Sequence, residues 1–161
     1  MPLTINTRHL EEEALSIKGK LPAPELELDH ADDLARARLP LYFDLTARLT
    51  GRDVLISGRL EMVLDCECAR CLKPFPFRLK IADWLLHLPG DGPDKPVLKD
   101  DLLDLTPYLR EAILLEFPQH PLCDGSCAGL PKRADGGNEQ EKRDGRTPET
   151  SAWAELNKLK F

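Results

Sequence analysis

The sequence predicts an α+β fold, in which a curled or partly barrelled antiparallel β meander is covered by one main helix and carries a cysteine knuckle at one end. Three observations predict it. Consecutive segments between residues 41 and 88 alternate apolar and polar side chains, as half-buried strands do. A later segment, residues 106–117, repeats apolar residues at helical spacing. The five cysteines form two separated groups, at 66, 68 and 71 and at 123 and 127.

The strand prediction covers three neighbouring segments. The first spans residues 41–49 and ends at Thr50-Gly51-Arg52-Asp53, a short glycine-containing stretch that predicts a hairpin turn. The second runs from Val54 to about Cys66, and Gly58 within it predicts a bulge. The third begins at Phe75, and its apolar phase slips near Asp83, which predicts another bulge. Three such strands in succession form a meander with one buried and one polar face.

The regions on either side carry weaker patterns. Leu15 and Ile17 alternate with polar residues and predict a short strand near the N-terminus. Residues 32–38 suggest one or two helical turns. For the main helix we predict Thr106 as the N-cap, Pro107 at the first helical position and Pro118 as the stop.

We expect one folded domain over residues 1–130. Residues 131–150 are rich in Gly and charged side chains and predict a disordered linker, because such a stretch buries too little apolar surface to offset its ordering entropy. Residues 151–161 place Trp153, Leu156 and Leu159 on one helical face. A free helix of this length is marginal, so it needs a surface to pack on, either its own domain or a protein partner.

The cysteine spacing predicts a structural metal site. Cys68-x-x-Cys71 and Cys123-x-x-x-Cys127 are two short-spaced pairs, and four thiolates suit tetrahedral zinc. The alternatives are free thiols that act as small apolar side chains, or a redox disulfide. Cys66 shares the strand face of Cys68 and is expected in the core, although it can replace Cys68 as a ligand. His120 is a candidate substitute ligand, but histidine before proline is more often a loop residue.

Charge separates one segment from the rest. The formal net charge of -6 argues against a protein that binds nucleic acid over its whole surface. Residues 66–80 nevertheless carry one acidic residue and four basic ones, which are Arg70, Lys73, Arg78 and Lys80. We predict that these four contact RNA phosphates; a solvated strand face is the alternative.

Other patterns bear on the compartment and the class of protein. No apolar run reaches the ~20 residues of a membrane helix, and the N-terminus does not resemble a secretory signal, so we expect a cytoplasmic protein without a membrane partner. No phosphate-binding glycine loop, nucleophile elbow or pair of acids at helical spacing is present in the sequence, so we expect no enzyme.

Three motifs in order carry a family resemblance. They are Cys68-Ala69-Arg70-Cys71-Leu72; the stretch from Asp104-Leu105 through Pro121-Leu122-Cys123 and Cys127 to Gly129-Leu130; and Trp153-Ala154-Glu155-Leu156-Asn157-Lys158-Leu159-Lys160. Together they resemble the YceD-like family, the large ribosomal RNA subunit accumulation proteins of bacteria and plastids. Unlike many members, this chain has no further cysteine after Gly129-Leu130.

The resemblance implies a non-catalytic role in ribosome biogenesis. The expected partner is large-subunit ribosomal RNA or a ribosomal protein, and the family's cysteine pairs fall on Cys68 with Cys71 and on Cys123 with Cys127. A second hypothesis, which the acidic balance favours, is a cytosolic protein–protein adaptor or regulator that does not bind RNA.

Overall fold

The computed structural model describes residues 2–28 and 33–130. These residues belong to a compact unit formed by residues 1–131. The linker predicted at 131–150 and the helix predicted at 151–161 lie outside the described residues, so both stay predictions.

Strands dominate the described part of the chain. In order along the chain they are β1 (Thr4–Asn6), β2 (Leu15–Leu21), β3 (Ala35–Arg36), β4 (Leu41–Thr50), β5 (Asp53–Glu67), β6 (Pro74–Leu88) and β7 (Leu102–Asp104). The α-helix α1 spans Thr106–Leu115. Two short 3₁₀ helices cover Thr7–Glu11 and Ala23–Leu26.

The main sheet is antiparallel and curled. β4 pairs with β2 on one side and with β5 on the other, while β5 also pairs with β3 and β6. Thr50 faces Asp53, so only Gly51 and Arg52 connect β4 to β5. Gly51 has φ of 65°, a left-handed conformation that glycine adopts without steric cost. The predicted three-strand meander and its hairpin are therefore confirmed, as is the short strand around Leu15 and Ile17.

The two predicted bulges prove to be one irregularity. Gly58 faces Trp84 and Leu60 faces Ile81, so two β6 residues lie opposite one residue of β5. Gly58 also lets β4 approach closely: a Cβ at this position would lie 2.1 Å from the carbonyl oxygen of Asp44. The glycine and the phase slip, read separately in the sequence, have the same structural cause.

The inner face of the sheet forms the apolar core. Nearly every second residue of β4 and β5 is buried. Among the described residues, no polar or charged residue is buried. Fully covered side chains of these two strands include Leu41, Leu45, Ile56, Leu60 and Leu64. The corresponding residues of β6 are mostly half-buried, because β6 lies at the edge of the sheet.

Helix α1 contributes Leu109 and Ile113 to this core. The helix packs against the Ala23–Leu26 turn, where Arg110 Nε donates to the Leu26 carbonyl at 2.9 Å. That the helix covers the sheet stays a prediction. Thr106 is not the N-cap; it is the first helical residue, and its Oγ1 accepts a hydrogen bond from the Leu3 amide at 2.9 Å.

Two features of the fold were not anticipated. β1 and β7 form a separate two-stranded sheet that joins the N-terminus to the segment before α1. The helical turns expected at 32–38 are wrong for the described part of that segment, since Ala35 and Arg36 instead pair with Cys66 and Asp65 of β5. Ala35 is fully buried there, so tertiary packing overrides the local helix preference.

Within the described ranges, no helix is both long enough and apolar enough to cross a membrane.

Candidate metal centre

The turn between β5 and β6 carries the first cysteine pair. The Cys68 amide donates to the Lys73 carbonyl at 3.0 Å, and the Leu72 amide donates to the Cys68 carbonyl at 2.8 Å. Leu72 adopts φ of 60°, which is uncommon for a non-glycine residue and tightens the turn. These bonds fold the chain back within six residues and bring the side chains of Cys68 and Cys71 together.

The segment after α1 carries the second pair and is fastened to this turn. The Ala69 amide donates to the Pro121 carbonyl at 2.8 Å, and Arg70 Nη1 donates to the Cys127 carbonyl at 3.2 Å. A tight turn shapes the end of the segment: the Cys127 amide donates to the Asp124 carbonyl at 3.1 Å. The Asp124 carboxylate also accepts from the amide and hydroxyl of Ser126, both at 2.8 Å.

The four sulfurs form one compact group. All lie within 4.8 Å of one another, with Cys68 Sγ 3.8 Å from Cys127 Sγ and Cys71 Sγ 3.7 Å from Cys123 Sγ. A tetrahedral ion with metal–sulfur bonds of about 2.3 Å has sulfur–sulfur edges of about 3.8 Å. The same distances greatly exceed a disulfide bond of about 2.05 Å, and all four thiols are free. The group can therefore hold a metal ion.

The electrostatics of the group also fit a cation. The pKa of Cys68 is lowered to about 6, chiefly because the Cys123 amide donates to its sulfur, with further donation from the amides of Cys71 and Arg70. The pKa of Cys123 is raised to about 12, chiefly because the Cys71 thiol lies beside it, followed by Cys68 and Cys127. Crowded thiolates repel one another, and a bound cation removes that repulsion.

The structure separates the predicted ligands from their alternatives. Cys66 is buried in the apolar core and faces Phe75 of β6, outside the sulfur group. His120 is exposed and is not part of the group either. Cys68 itself is buried, Cys71 and Cys127 are half-buried, and Cys123 is exposed, so an ion can reach the site from solvent.

The four cations predicted to contact RNA belong to two different elements. Arg70 and Lys73 belong to the cysteine turn, whereas Arg78 and Lys80 lie on the outer face of β6. Lys80 Nζ lies 3.1 Å from Glu61 Oε1. RNA contact by these residues stays a prediction. Sequence reasoning missed the neighbours that register brings to the same outer face, among them Lys18, Lys20 and Arg59; the alternation of β2, β4 and β5 was the available signal.

Comparison with known proteins places the chain in a family. The model of the large ribosomal RNA subunit accumulation protein YceD matches residues 56–160. The uncharacterized proteins Mb2951c of Mycobacterium bovis and Rv2926c of Mycobacterium tuberculosis are each 29% identical over 179 residues, which covers 96% of this chain and 80% of theirs. The uncharacterized protein YlbN of Bacillus subtilis is 33% identical over 84 residues, which covers 50% of this chain and 48% of YlbN. No solved structure matches. The chain belongs to the YceD family of large ribosomal RNA subunit accumulation proteins.

Proposed function

We propose that this protein is a non-catalytic ribosome biogenesis factor that supports the accumulation of large-subunit ribosomal RNA, and that its four-cysteine group holds a structural zinc ion. The observation that carries the proposal is family membership across residues 56–160, the part that contains both cysteine pairs. The expected partner is large-subunit ribosomal RNA or a ribosomal protein.

Zinc is the proposed metal because the donor set consists of four thiolates at tetrahedral spacing. Soft thiolate donors favour zinc over the hard cations magnesium and calcium. A site with four protein ligands leaves no open position for water or substrate, which is the arrangement of structural rather than catalytic zinc. The ion would then fasten residues 121–127 to the turn after β5.

The metal proposal is tested by elemental analysis of freshly purified protein. We expect about one zinc per chain and a loss of most of it in the Cys71→Ser variant. Cys66→Ala is the matched control, because it removes a thiol that lies in the core and outside the sulfur group. Zinc retained by Cys71→Ser, or absent from the unaltered protein, would contradict the proposal.

The cellular proposal is tested by deleting the gene and measuring the ratio of large-subunit to small-subunit ribosomal RNA. We expect the ratio to fall and to recover when the unaltered protein is restored. An unchanged ratio in the deletion strain would overturn the assigned role. Cys71→Ser, expressed at equal level, shows whether the role needs the metal.

A protein–protein adaptor that does not bind RNA is the second candidate. Its support is the net charge of -6 and the engagement of Lys80 by Glu61 and of Arg70 by the Cys127 carbonyl. Ultraviolet crosslinking in cells separates the two. RNA recovered with the protein favours the first candidate, whereas recovery of a protein partner after ribonuclease treatment, with no RNA attached, favours the adaptor.

A further inference from the structure

The outer face of the main sheet brings together basic side chains that are distant in sequence. One cross-strand row contains, in order, Lys20, Tyr42, Glu61 and Lys80. The row on one side of it contains Lys18, Asp44 and Arg59. In the row on its other side, Arg78 lies opposite Val63. We call these residues the sheet-face patch.

We propose that the sheet-face patch binds a single-stranded segment of RNA, with Tyr42 as the platform on which a base stacks and the surrounding cations as phosphate contacts. The proposal deepens the proposed function and rests on it, since it supplies the surface through which such a factor would touch ribosomal RNA.

Charge favours a polyanion at this patch. It holds five cations against the two carboxylates of Asp44 and Glu61, and the exposed Asp83 lies in the β6 bulge opposite Arg59. The net charge of this area is therefore +2, in a chain whose net charge is -6. Asp44 lies 3.2 Å from Lys18 and 3.0 Å from Arg59, so both its neighbours share one carboxylate. Among the described residues, Lys20 and Arg78 have no carboxylate partner, which leaves them available to phosphate.

Apart from Asp83, the other charged groups on this face lie toward its two ends. Asp65 and Glu67 lie near the cysteine turn, where Arg38 Nε is 3.7 Å from Asp65 and Arg36 faces Asp65 across the strand pair. Asp53 and His87 pair with each other at the opposite end of the sheet. The centre of the face is therefore the most positive part of it.

Tyr42 is the aromatic feature of the patch. It is 48% exposed although β4 lies between two other strands, and Lys20 Nζ is 4.9 Å from the centre of its ring. Shallow depressions flank it, one of about 290 Å³ that reaches Arg59 and one of about 100 Å³ that reaches Arg78. An exposed aromatic ring between cations on an antiparallel sheet is the arrangement by which sheet proteins stack unpaired bases.

A single strand fits this surface better than a duplex. Paired bases in a double-stranded RNA are stacked on one another, so Tyr42 would have no free base to contact. The cysteine turn is a weaker candidate, because a zinc ion with four thiolates carries a net charge of -2. The positive charges of Arg70 and Lys73 would then be cancelled by the negative charge of the zinc–thiolate centre.

The test uses the full-length, metal-loaded protein and a fluorescein-labelled single-stranded RNA of mixed sequence, with binding followed by anisotropy. We expect Tyr42→Ala to weaken binding by about tenfold, and Tyr42→Phe to restore most of it because the ring is kept. Reversing Lys20 and Arg78 to Glu should lower the magnitude of the salt slope by about 1.4 or more. The control is Lys95→Glu, which reverses the charge of an exposed side chain in the loop after β6 and should leave Kd within about twofold of the unaltered protein.

Several outcomes would overturn the proposal. Equal affinity of Tyr42→Ala and Lys95→Glu, with the unaltered protein binding RNA, would reject the surface and leave the proposed function standing. Duplex RNA bound as tightly as the single strand would reject single-strand recognition. A photocrosslinker at position 42 that captures protein and no RNA in cells would also reject it. The ribosomal RNA ratio in the deletion strain tests the proposed function separately, and unchanged thermal unfolding of Tyr42→Ala excludes a folding defect as the cause.

Discussion

Strands β4 and β5 bury nearly every second side chain, whereas residues 118–130, which carry two of the four clustered thiols, bury only Pro121. The first region is stabilised by many apolar contacts along one continuous hairpin. The second is held by hydrogen bonds from Ala69 and Arg70 and by donation of the Cys123 amide to the Cys68 sulfur, beside the clustered sulfurs. The buried Cys68 lies beside the second region, with its Sγ 3.8 Å from Cys127 Sγ, and is outside the apolar core cluster.

The difference indicates that the two regions depend on different conditions. Apolar burial stabilises a fold without any bound ion, at roughly 25 cal/mol per Å². A metal site depends on free metal and on thiolates that can be oxidised or protonated. We therefore expect the sheet to persist when the proposed metal is lost, and the segment after α1 to detach. Four changes to the protein test this contrast, and they differ in their expected effect on the free energy of unfolding.

The largest effect is expected from Leu60→Ala. Leu60 is fully buried between Phe43 and Ile81, so the change should lower the free energy of unfolding by about 3 kcal/mol. Urea denaturation followed by circular dichroism measures it. Leu85→Ala is the matched control, since Leu85 is 64% exposed on β6 and should change stability by less than about 0.5 kcal/mol. Equal effects of the two variants would show that the inner face is not the stabilising one.

Gly58→Ala should have the next largest effect. The new Cβ would lie 2.1 Å from the Asp44 carbonyl oxygen, so β4 and β5 must separate locally, at a cost of about 2 kcal/mol. The same denaturation experiment measures it. Gly125→Ala is the control, because an added Cβ there meets no atom within 4 Å. A Gly58→Ala variant as stable as the control would mean that the close approach of the strands is not required.

Metal removal should change the cysteine region and leave the sheet folded. After chelation we expect amide exchange to increase at Ala69 and Cys127 and throughout residues 119–130, while β4 and β5 keep their protection. The free energy of unfolding of the sheet should change by less than about 1 kcal/mol, since its burial does not involve the sulfurs. Hydrogen exchange with mass spectrometry measures both regions in one sample, and Cys123→Ser should reproduce the local effect. Loss of protection throughout β4 and β5 would show that the metal holds the whole fold.

Asp53→Asn should have the smallest effect and should depend on pH. The pKa of Asp53 lies below the ordinary 3.8, chiefly because the Gly90 amide donates to its carboxylate at 3.0 Å and also because His87 Nε2 lies 2.9 Å away. A lowered pKa in the folded state contributes stability above pH 3.8 that is lost as pH falls through the lower folded value.

Thermal unfolding across pH tests this effect. Unaltered protein should have a slightly higher Tm than Asp53→Asn near neutral pH, and the two should converge in acid. Asp94→Asn, in the exposed loop after β6, should match the unaltered protein at every pH. A difference that persists in strong acid would show that Asp53 acts through packing rather than charge.

Much of this protein was determined by local pattern. Alternation over ten or more residues in β4, β5 and β6 is a strong signal because one face of a long strand must be buried, so the meander, its hairpin and its bulge were predictable. The two cysteine pairs were predictable as well, because two- and three-residue spacings are set by the chain itself. The two cysteines of such a pair are close enough in the chain to bind the same ion.

Long-range contact decided the rest. β1 and β7 have three residues each, too few to show a period, and they form a sheet only because the fold brings Ile5 opposite Leu103. Ala35 is a strand residue because it pairs with Cys66 of β5, against a helical local preference. The cross-strand register alone placed Lys20 and Tyr42 in a row with Lys80. Hydrogen bonds from the turn after β5 to the segment after α1 brought the two cysteine pairs together. Such arrangements depend on pairing energies between residues tens of positions apart, which periodicity along a single chain does not encode.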